Sequence, residues 1–240
     1  MLEKKMRRIK SMDYFKKSVW KDAPFVTYAL LSIIIAWYLA TLLIFKTTET
    51  THALVRMGAK FNLFIVERGE WWRLITAGFL HIGFRHLLMN GISIYFIGRH
   101  LEQIIGHWNF FLVYMTSLIG GNLFSFAFST NVSAGASTAI FGTFAAYIIL
   151  AYLNPGNLYL ERYARTFGTL LIFNIIFGLT SVGVDNWGHI GGAVYGGLIM
   201  ALIDFIHLKN NKLIWTIIGI IVIITLTLFV LGIRLTHLGG

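Results

Sequence analysis

Apolar runs long enough to cross a bilayer recur along this chain, separated by short polar or charged stretches. A bilayer core of ~30 Å takes about 20 residues of helix at 1.5 Å per residue. Residues 23–45, 166–184 and 213–233 contain no Asp, Glu, Lys or Arg, and residues 186–203 carry only His189 as a titratable histidine. Residues 103–160 exceed one span, and the polar stretch 129–133 divides them into two helices. A further span lies between Leu74 and Gly106 and is interrupted by Arg85; it runs either over 74–97 or, preferred here, from near Phe84 to Gly106 with Arg99 and Glu102 at its inner end.

The pattern predicts an all-α polytopic membrane protein of seven spans, about 23–45, 84–106, 108–128, 135–153, 166–184, 187–206 and 213–234. A basic tail, 1–22, precedes them. The first six spans form one unit over 23–206, a long outer loop occupies 46–73, and the span over 213–234 is an additional C-terminal helix. No repeat of fixed period and no low-complexity tract divides the chain further. Phe61, Leu63, Phe64, Trp71 and Trp72 make the long loop an interfacial segment, either a belt of anchoring aromatics or one with a direct role.

Composition sharpens this. Of 240 residues, 57% are hydrophobic and 12% charged, which excludes an ordinary soluble globule and a disordered chain alike. No cysteine is present, so disulfides, thiolate chemistry and cysteine-ligated metals are excluded. The net charge of +10 invites a nucleic-acid reading. The basic residues instead gather at span ends, as topology demands, so no nucleic-acid partner is expected. Lys4, Lys5, Arg7, Arg8, Lys10, Lys16, Lys17 and Lys21 precede the first span. With that end inside, Arg99, Arg162, Arg165, Lys209 and Lys212 fall on the same side, which sets the N-terminus cytoplasmic and the C-terminus extracytoplasmic. The tail most simply meets anionic lipid, and the first span fits an uncleaved anchor better than a signal peptide.

Polar groups within apolar spans need a partner or a task. Four stand out: His86, Asn90, Ser137 and His189. Singly, each is more readily an interhelical hydrogen bond than a catalytic group. Depth changes the balance. Asn90 to Gly106, Ser137 to Leu153 and His189 to Phe205 are each 16 residues, which puts all three ~24 Å above the inner boundary and just below the outer surface. His86 and Asn90 share a helix face, as do Ser137 and Phe141. Gly188, Gly192 and Gly196 form a small-residue ridge, and Gly142 and Ala146 answer it after Ser137, so two backbones could approach closely enough for a serine hydroxyl to meet a histidine base. The stretch from Gly135 to Ala139 lacks the second glycine of a hydrolase elbow. No HExxH and no paired membrane aspartates occur.

Taken together, these residues resemble a rhomboid intramembrane serine protease over roughly 71–204. The matching features are Trp72-Arg73, then His81, His86 and Asn90 in the spacing H-x4-H-x3-N, Glu102-x3-Gly106, Gly135-Ala-Ser137, and Gly188-His189-x2-Gly192-x3-Gly196. The resemblance implies a six-helix core with one added helix, Ser137 as nucleophile and His189 as general base. It also implies an oxyanion site made by His86, Asn90 and the Ser137 N–H. The substrates would be single-span membrane proteins cut in or near the span, in a multi-pass protein of a prokaryotic cell membrane, with no metal and no cofactor.

No carboxylate completes a triad, and Asp185 is expected as a solvated loop charge. Thr138 stands where many rhomboids have Gly, and Phe141 where Tyr is common; Phe141 can still stack on His189. The expectation is a slow enzyme that admits substrate laterally past the fifth span, with the loop near 181–186 as a cap. A rhomboid-like scaffold that binds without cutting is the first alternative. A transporter using the histidines as a relay is the weaker one, since no acidic residue lies mid-membrane.

Overall fold

The computed structural model describes residues 23–181 and 183–238. The basic tail and the orientation argument built on it lie outside the described residues, as does Val182 of the expected cap. Within them the chain is helical and forms no strand, and a single antiparallel bridge joins Lys60 to Ser133. Helix α1 spans Phe25–Phe45, and the outer loop carries α2 (Thr51–Arg56) and α3 (Asn62–Glu67). Then come α4 (Arg73–Thr76) and a 3-10 turn over Ala77–Phe79. Helix α5 (Gly83–Ser93) passes through a π turn (Ile94–Gly98) into α6 (Arg99–Ile105). The rest is α7 (His107–Phe128), α8 (Ser137–Leu153), α9 (Leu158–Thr180), α10 (Asn186–His207) and α11 (Asn211–Leu238).

Five of these, α1, α7, α9, α10 and α11, are long and apolar enough to cross a membrane. Helix α8 has 17 residues, and the segment from Gly83 to Ile105 is broken by its π turn. Helix α8 opens at Ser137 rather than 135 because Gly135 has φ +137°, which a helix cannot hold. Helix α9 lies nearer the N-terminus than the apolar run suggested, from Leu158 to Thr180 instead of 166 to 184. The Asn157 side chain accepts the Leu160 N–H and starts it. Glu161, Arg162 and Arg165 then ride its first turns, because charge forbids hydrocarbon contact but not helix.

Helices α7, α8 and α10 form the centre, and α1, α9 and α11 pack around them. Phe110, Val113, Tyr114 and Leu118 of α7, with Phe144, Tyr147 and Leu150 of α8, are buried in the principal cluster. Helix α9 leans on α8 by stacking Phe167 on Phe144 and Tyr163 on Tyr147. The C-terminal half of α9 exposes Ile172, Phe173, Ile176 and Phe177.

Two buried ionisable groups fasten the periphery. The side chain of Glu102 is fully buried. Its carboxylate accepts the N–H groups of Val26 and Thr27 (3.0 and 2.8 Å) and the Thr27 hydroxyl (2.6 Å), and it pairs with His107 Nδ1 at 2.5 Å. It thereby serves orphan donors at the start of α1, where the N-cap Pro24 offers no side-chain bond. Gly106, at φ +85°, turns the chain from α6 into α7 so that His107 can face Glu102.

In the long loop Lys60 is 0% exposed. Its ammonium donates to Asn62 Oδ1 (3.1 Å) and to the carbonyls of Ser129 (2.9 Å) and Asn131 (2.7 Å), with Ser125 O at 3.4 Å. Asn62 Nδ2 donates in turn to Phe126 O at 3.0 Å. Arg73 donates to the carbonyls of Val55 and Ala59 and pairs with Glu70. Trp71 stacks on Phe229 of α11. The long loop is therefore bolted to the helices, while Leu63 and Trp72 stay exposed.

Glu102→Ala should lower the folding free energy by ~2–4 kcal/mol, the cost of leaving two or three buried donors unserved; a thermal midpoint in detergent unchanged from wild type would contradict this. Burial pulls the Lys60 pKa from its ordinary 10.5 down to about 8, with Asp185 opposing the shift. Between those two values the unfolded chain holds a proton that the folded one has released, so stability should rise as pH climbs through that window. Melting of wild type against Lys60→Met from pH 7.5 to 10 tests the sign: the wild type should gain on the variant.

Candidate active site

The first residue of α8 and the fourth of α10 meet. Ser137 Oγ lies 2.9 Å from His189 Nε2, within hydrogen-bond distance. Ser137 is half-buried and His189 buried. As the opening residue of its helix, Ser137 has a backbone N–H with no intrahelical partner. The contact exists because α8 and α10 touch through their backbones. A Cβ on Gly192 would overlap the Thr138 carbonyl, and one on Gly196 would overlap the Gly142 carbonyl. The glycine ridge and its answering Gly142 are thus brought together as their spacing indicated. Helix α7 closes the junction with Gly121, where a Cβ would stand 2.5 Å from Thr138 Cβ and 2.6 Å from Gly188 O.

Thr138 is seated in that notch. Its extra bulk beside Ser137 is accommodated by Gly121 and Gly188 on two different helices, a complement that the sequence did not advertise. Phe141 stacks on the His189 ring with centroids 4.0 Å apart and planes 10° from parallel. The ring is held on one face by an aromatic and at one edge by Ser137, which fixes its orientation.

The two ring nitrogens differ. Nε2 faces Ser137, whereas Nδ1 has no hydrogen-bond partner among the described residues. A histidine that accepts the serine proton at Nε2 must carry its own on Nδ1. Asp185 does not reach it. Contrary to the expectation of a solvated loop charge, Asp185 is the half-buried N-cap of α10: it accepts the Gly188 N–H at 2.9 Å and the Ser133 hydroxyl at 2.5 Å. An aspartate three residues before a free helical N–H caps it more readily than it faces water.

His86 stands across Gly135 from the serine. A Cβ on Gly135 would lie 2.7 Å from His86 Cε1 and 3.7 Å from Ser137 Oγ, so this glycine keeps the histidine and the serine in reach of one another. The Ile82 N–H donates to His86 Nδ1 at 3.3 Å, which leaves the ring proton on Nε2 as a donor. Asn90 is buried and donates its amide to the His86 carbonyl at 3.0 Å. His81 is buried with its ring 5.1 Å from that of His86. Trp72, Arg73 and Glu102 lie outside this group. Arg73, with its guanidinium over the Trp72 ring, holds the loop, and Glu102 holds the start of α1. No group of three metal-ligating side chains forms among the described residues.

Lys60 and Ser133 are neighbours that sequence reasoning passed over, and Asp185 is one it placed in solvent. A lysine in a loop rich in glutamate reads as a solvated charge, and only burial distinguishes it. The Asp185-x2-Gly188 spacing was the one available signal.

A family model described as a Rhomboid domain matches residues 68–207. The chain is 40% identical over 153 residues to rhomboid protease GluP of Bacillus subtilis (strain 168), covering 62% of this chain and 29% of that protein. It is 39% identical over 151 residues to RHOMBOID-like protein 1 of Arabidopsis thaliana, 61% of this chain and 38% of that one. It is 36% identical over 137 residues to RHOMBOID-like protein 4 of the same plant, 56% and 34% respectively. The chain spans well under half the length of these three relatives. With several apolar helices of spanning length, it is a multi-pass membrane protein.

Proposed function

The chain belongs to the rhomboid family, and from that premise we propose that it is an intramembrane serine endopeptidase in which Ser137 attacks and His189 takes its proton. The observation that carries this is the 2.9 Å approach of Ser137 Oγ to His189 Nε2. Oγ adds to the scissile carbonyl as Nε2 accepts the hydroxyl proton, and the carbonyl oxygen becomes an oxyanion. The free N–H of Ser137 and the Nε2–H of His86 face that charge. Asn90, which gives one amide hydrogen to the His86 carbonyl, supplies the other as a third donor. The imidazolium then protonates the leaving amine, and a water activated by the same nitrogen hydrolyses the acyl-enzyme.

Nothing pairs the His189 Nδ1–H among the described residues, so the imidazolium is less stabilised than in a triad. In a soluble serine protease, loss of the triad aspartate alone costs ~3 × 10⁴ in rate against ~2 × 10⁶ for the serine, so a dyad works slowly.

Seven spans best fit the helices, with α5 and α6 as one broken span and α8 as a short one; the unit over 23–206 is the catalytic core and α11 an addition to it. A 17-residue helix covers only ~26 Å, less than the hydrocarbon thickness. The start of α8 is thereby recessed beneath the outer surface, where water reaches it through the polar loops above. The N-terminus lies inside the cell membrane of a prokaryote and the C-terminus outside.

Single-span membrane proteins are the substrates, and they enter past α9. That helix shows a bare apolar outer half and touches α10 mainly where Gly178 meets Asn186.

A fluorophosphonate should label the wild type and leave Ser137→Ala unlabelled. His189→Ala should label at least about 10³-fold more slowly and His86→Ala about 10²-fold more slowly. Equal labelling of wild type and Ser137→Ala would end the reading. Because the chain has no cysteine, one introduced pair can join the outer halves of α5 and α9. That crosslink should abolish cleavage of a spanning substrate and spare labelling by the small probe; undiminished cleavage excludes lateral entry.

A further inference from the structure

We propose that Lys60 is a positioning residue for the Ser137–His189 pair, acting through Ser133 and Asp185; this rests on the reading of that pair as catalytic. The geometry supplies an unbroken line of contacts. The Lys60 ammonium gathers the carbonyls of Ser129 and Asn131, which belong to the connection from α7 to α8. Its backbone is paired in both directions with Ser133, the Lys60 N–H to Ser133 O at 2.9 Å and the Ser133 N–H to Lys60 O at 3.1 Å. Two residues on, the Gly135 N–H donates to Ala77 O at 2.9 Å, and Ser137 opens α8. From the same Ser133 the hydroxyl reaches Asp185, which caps the helix of His189 through the Gly188 N–H. One buried cation thus bears on the entry to the nucleophile's helix and, through one serine, on the entry to the base's helix.

Chemistry explains why the group is a lysine. The connection between α7 and α8 ends in carbonyls pointing inward, which only a donor can serve. An ammonium carries three N–H groups and accepts nothing, so it can satisfy several converging oxygens at once. Complete burial of that charge is costly, and burial of the cation lowers its pKa. An apolar group of the same size would leave those carbonyls unserved. A position that keeps it gains a fixed geometry. The charged group acting on Lys60 is Asp185, the far end of the same line. The two are joined by Ser133, so the positive and negative members hold the connection from both sides.

The test compares wild type, Lys60→Met and Ser133→Ala in detergent below the melting midpoint of each. Three measurements are made: the rate of fluorophosphonate labelling, kcat and KM on a spanning substrate, and amide hydrogen exchange of residues 129–136. Lys60→Met should label at least ~10-fold more slowly, with kcat reduced and KM unchanged, and exchange over 129–136 should quicken while α1 and α9 keep wild-type protection. Ser133→Ala, which removes one half-buried hydroxyl and no buried charge, should slow labelling ~3-fold or more. The double variant should be no slower than Lys60→Met alone, because both changes cut one line. Wild-type labelling rates in both single variants, or a rise in KM with kcat intact, overturn the proposal and leave the catalytic reading standing. A wild type that never labels overturns both.

Discussion

The structure depends on the contact of two helix backbones at Gly192 and Gly196 of α10, against the Thr138 and Gly142 carbonyls of α8. In hydrocarbon there is no hydrophobic force to draw helices together, so close van der Waals packing and interhelical bonds do that work. Side chains of ordinary size would hold the two axes several ångströms further apart. At that separation Ser137 and His189 could not share a proton. The packing at this junction is therefore what lets the two groups meet. Helix α7 adds a third backbone with Gly121, beside Thr138.

Around that junction the molecule places charge where charge can be satisfied. Glu102 at one end of the bundle and Lys60 in the long loop are both buried, and both meet ends of backbone that regular structure leaves unserved. Each is a long-range tie: Glu102 joins α6 to the start of α1, and Lys60 joins the outer loop to the connection after α7. The spans themselves are nearly featureless in polarity, so their mutual placement depends on such ties and on glycine notches. The C-terminal half of α9 is tied to α10 where Gly178 and Ile175 meet Asn186, while Ile172, Phe173, Ile176 and Phe177 beside them stay exposed.

Few polar groups surround the Ser137–His189 pair. Phe141 replaces a hydrogen-bonding neighbour with a stacked face, and the Nδ1 edge of His189 has no partner among the described residues. Orientation comes from shape rather than from an acid. Asp185, the nearest carboxylate in sequence, is occupied in capping the helix that carries His189. The histidine is placed by its helix, and the helix by the aspartate.

Hydropathy alone pointed to several apolar helices, and Asn90, Ser137 and His189 at one depth, with His86 on the face of Asn90, marked a candidate site. Helix periodicity is a local property, and a polar atom inside a greasy run is conspicuous because water is absent there. The start of α9 was missed for the same reason: charge marks where hydrocarbon ends, not where a helix begins. What no linear pattern could reveal was the fate of groups whose meaning depends on distant neighbours. Lys60 and Asp185 look like surface charges in the sequence and become a buried cation and a helix cap, while Thr138 looks like an obstruction until Gly121 is seen to face it. The sequence by itself determined which segments leave water and which side chains must find a task there. Only the tertiary structure decided which of them meet, because contacts between residues far apart in the chain are set by the packing of whole helices.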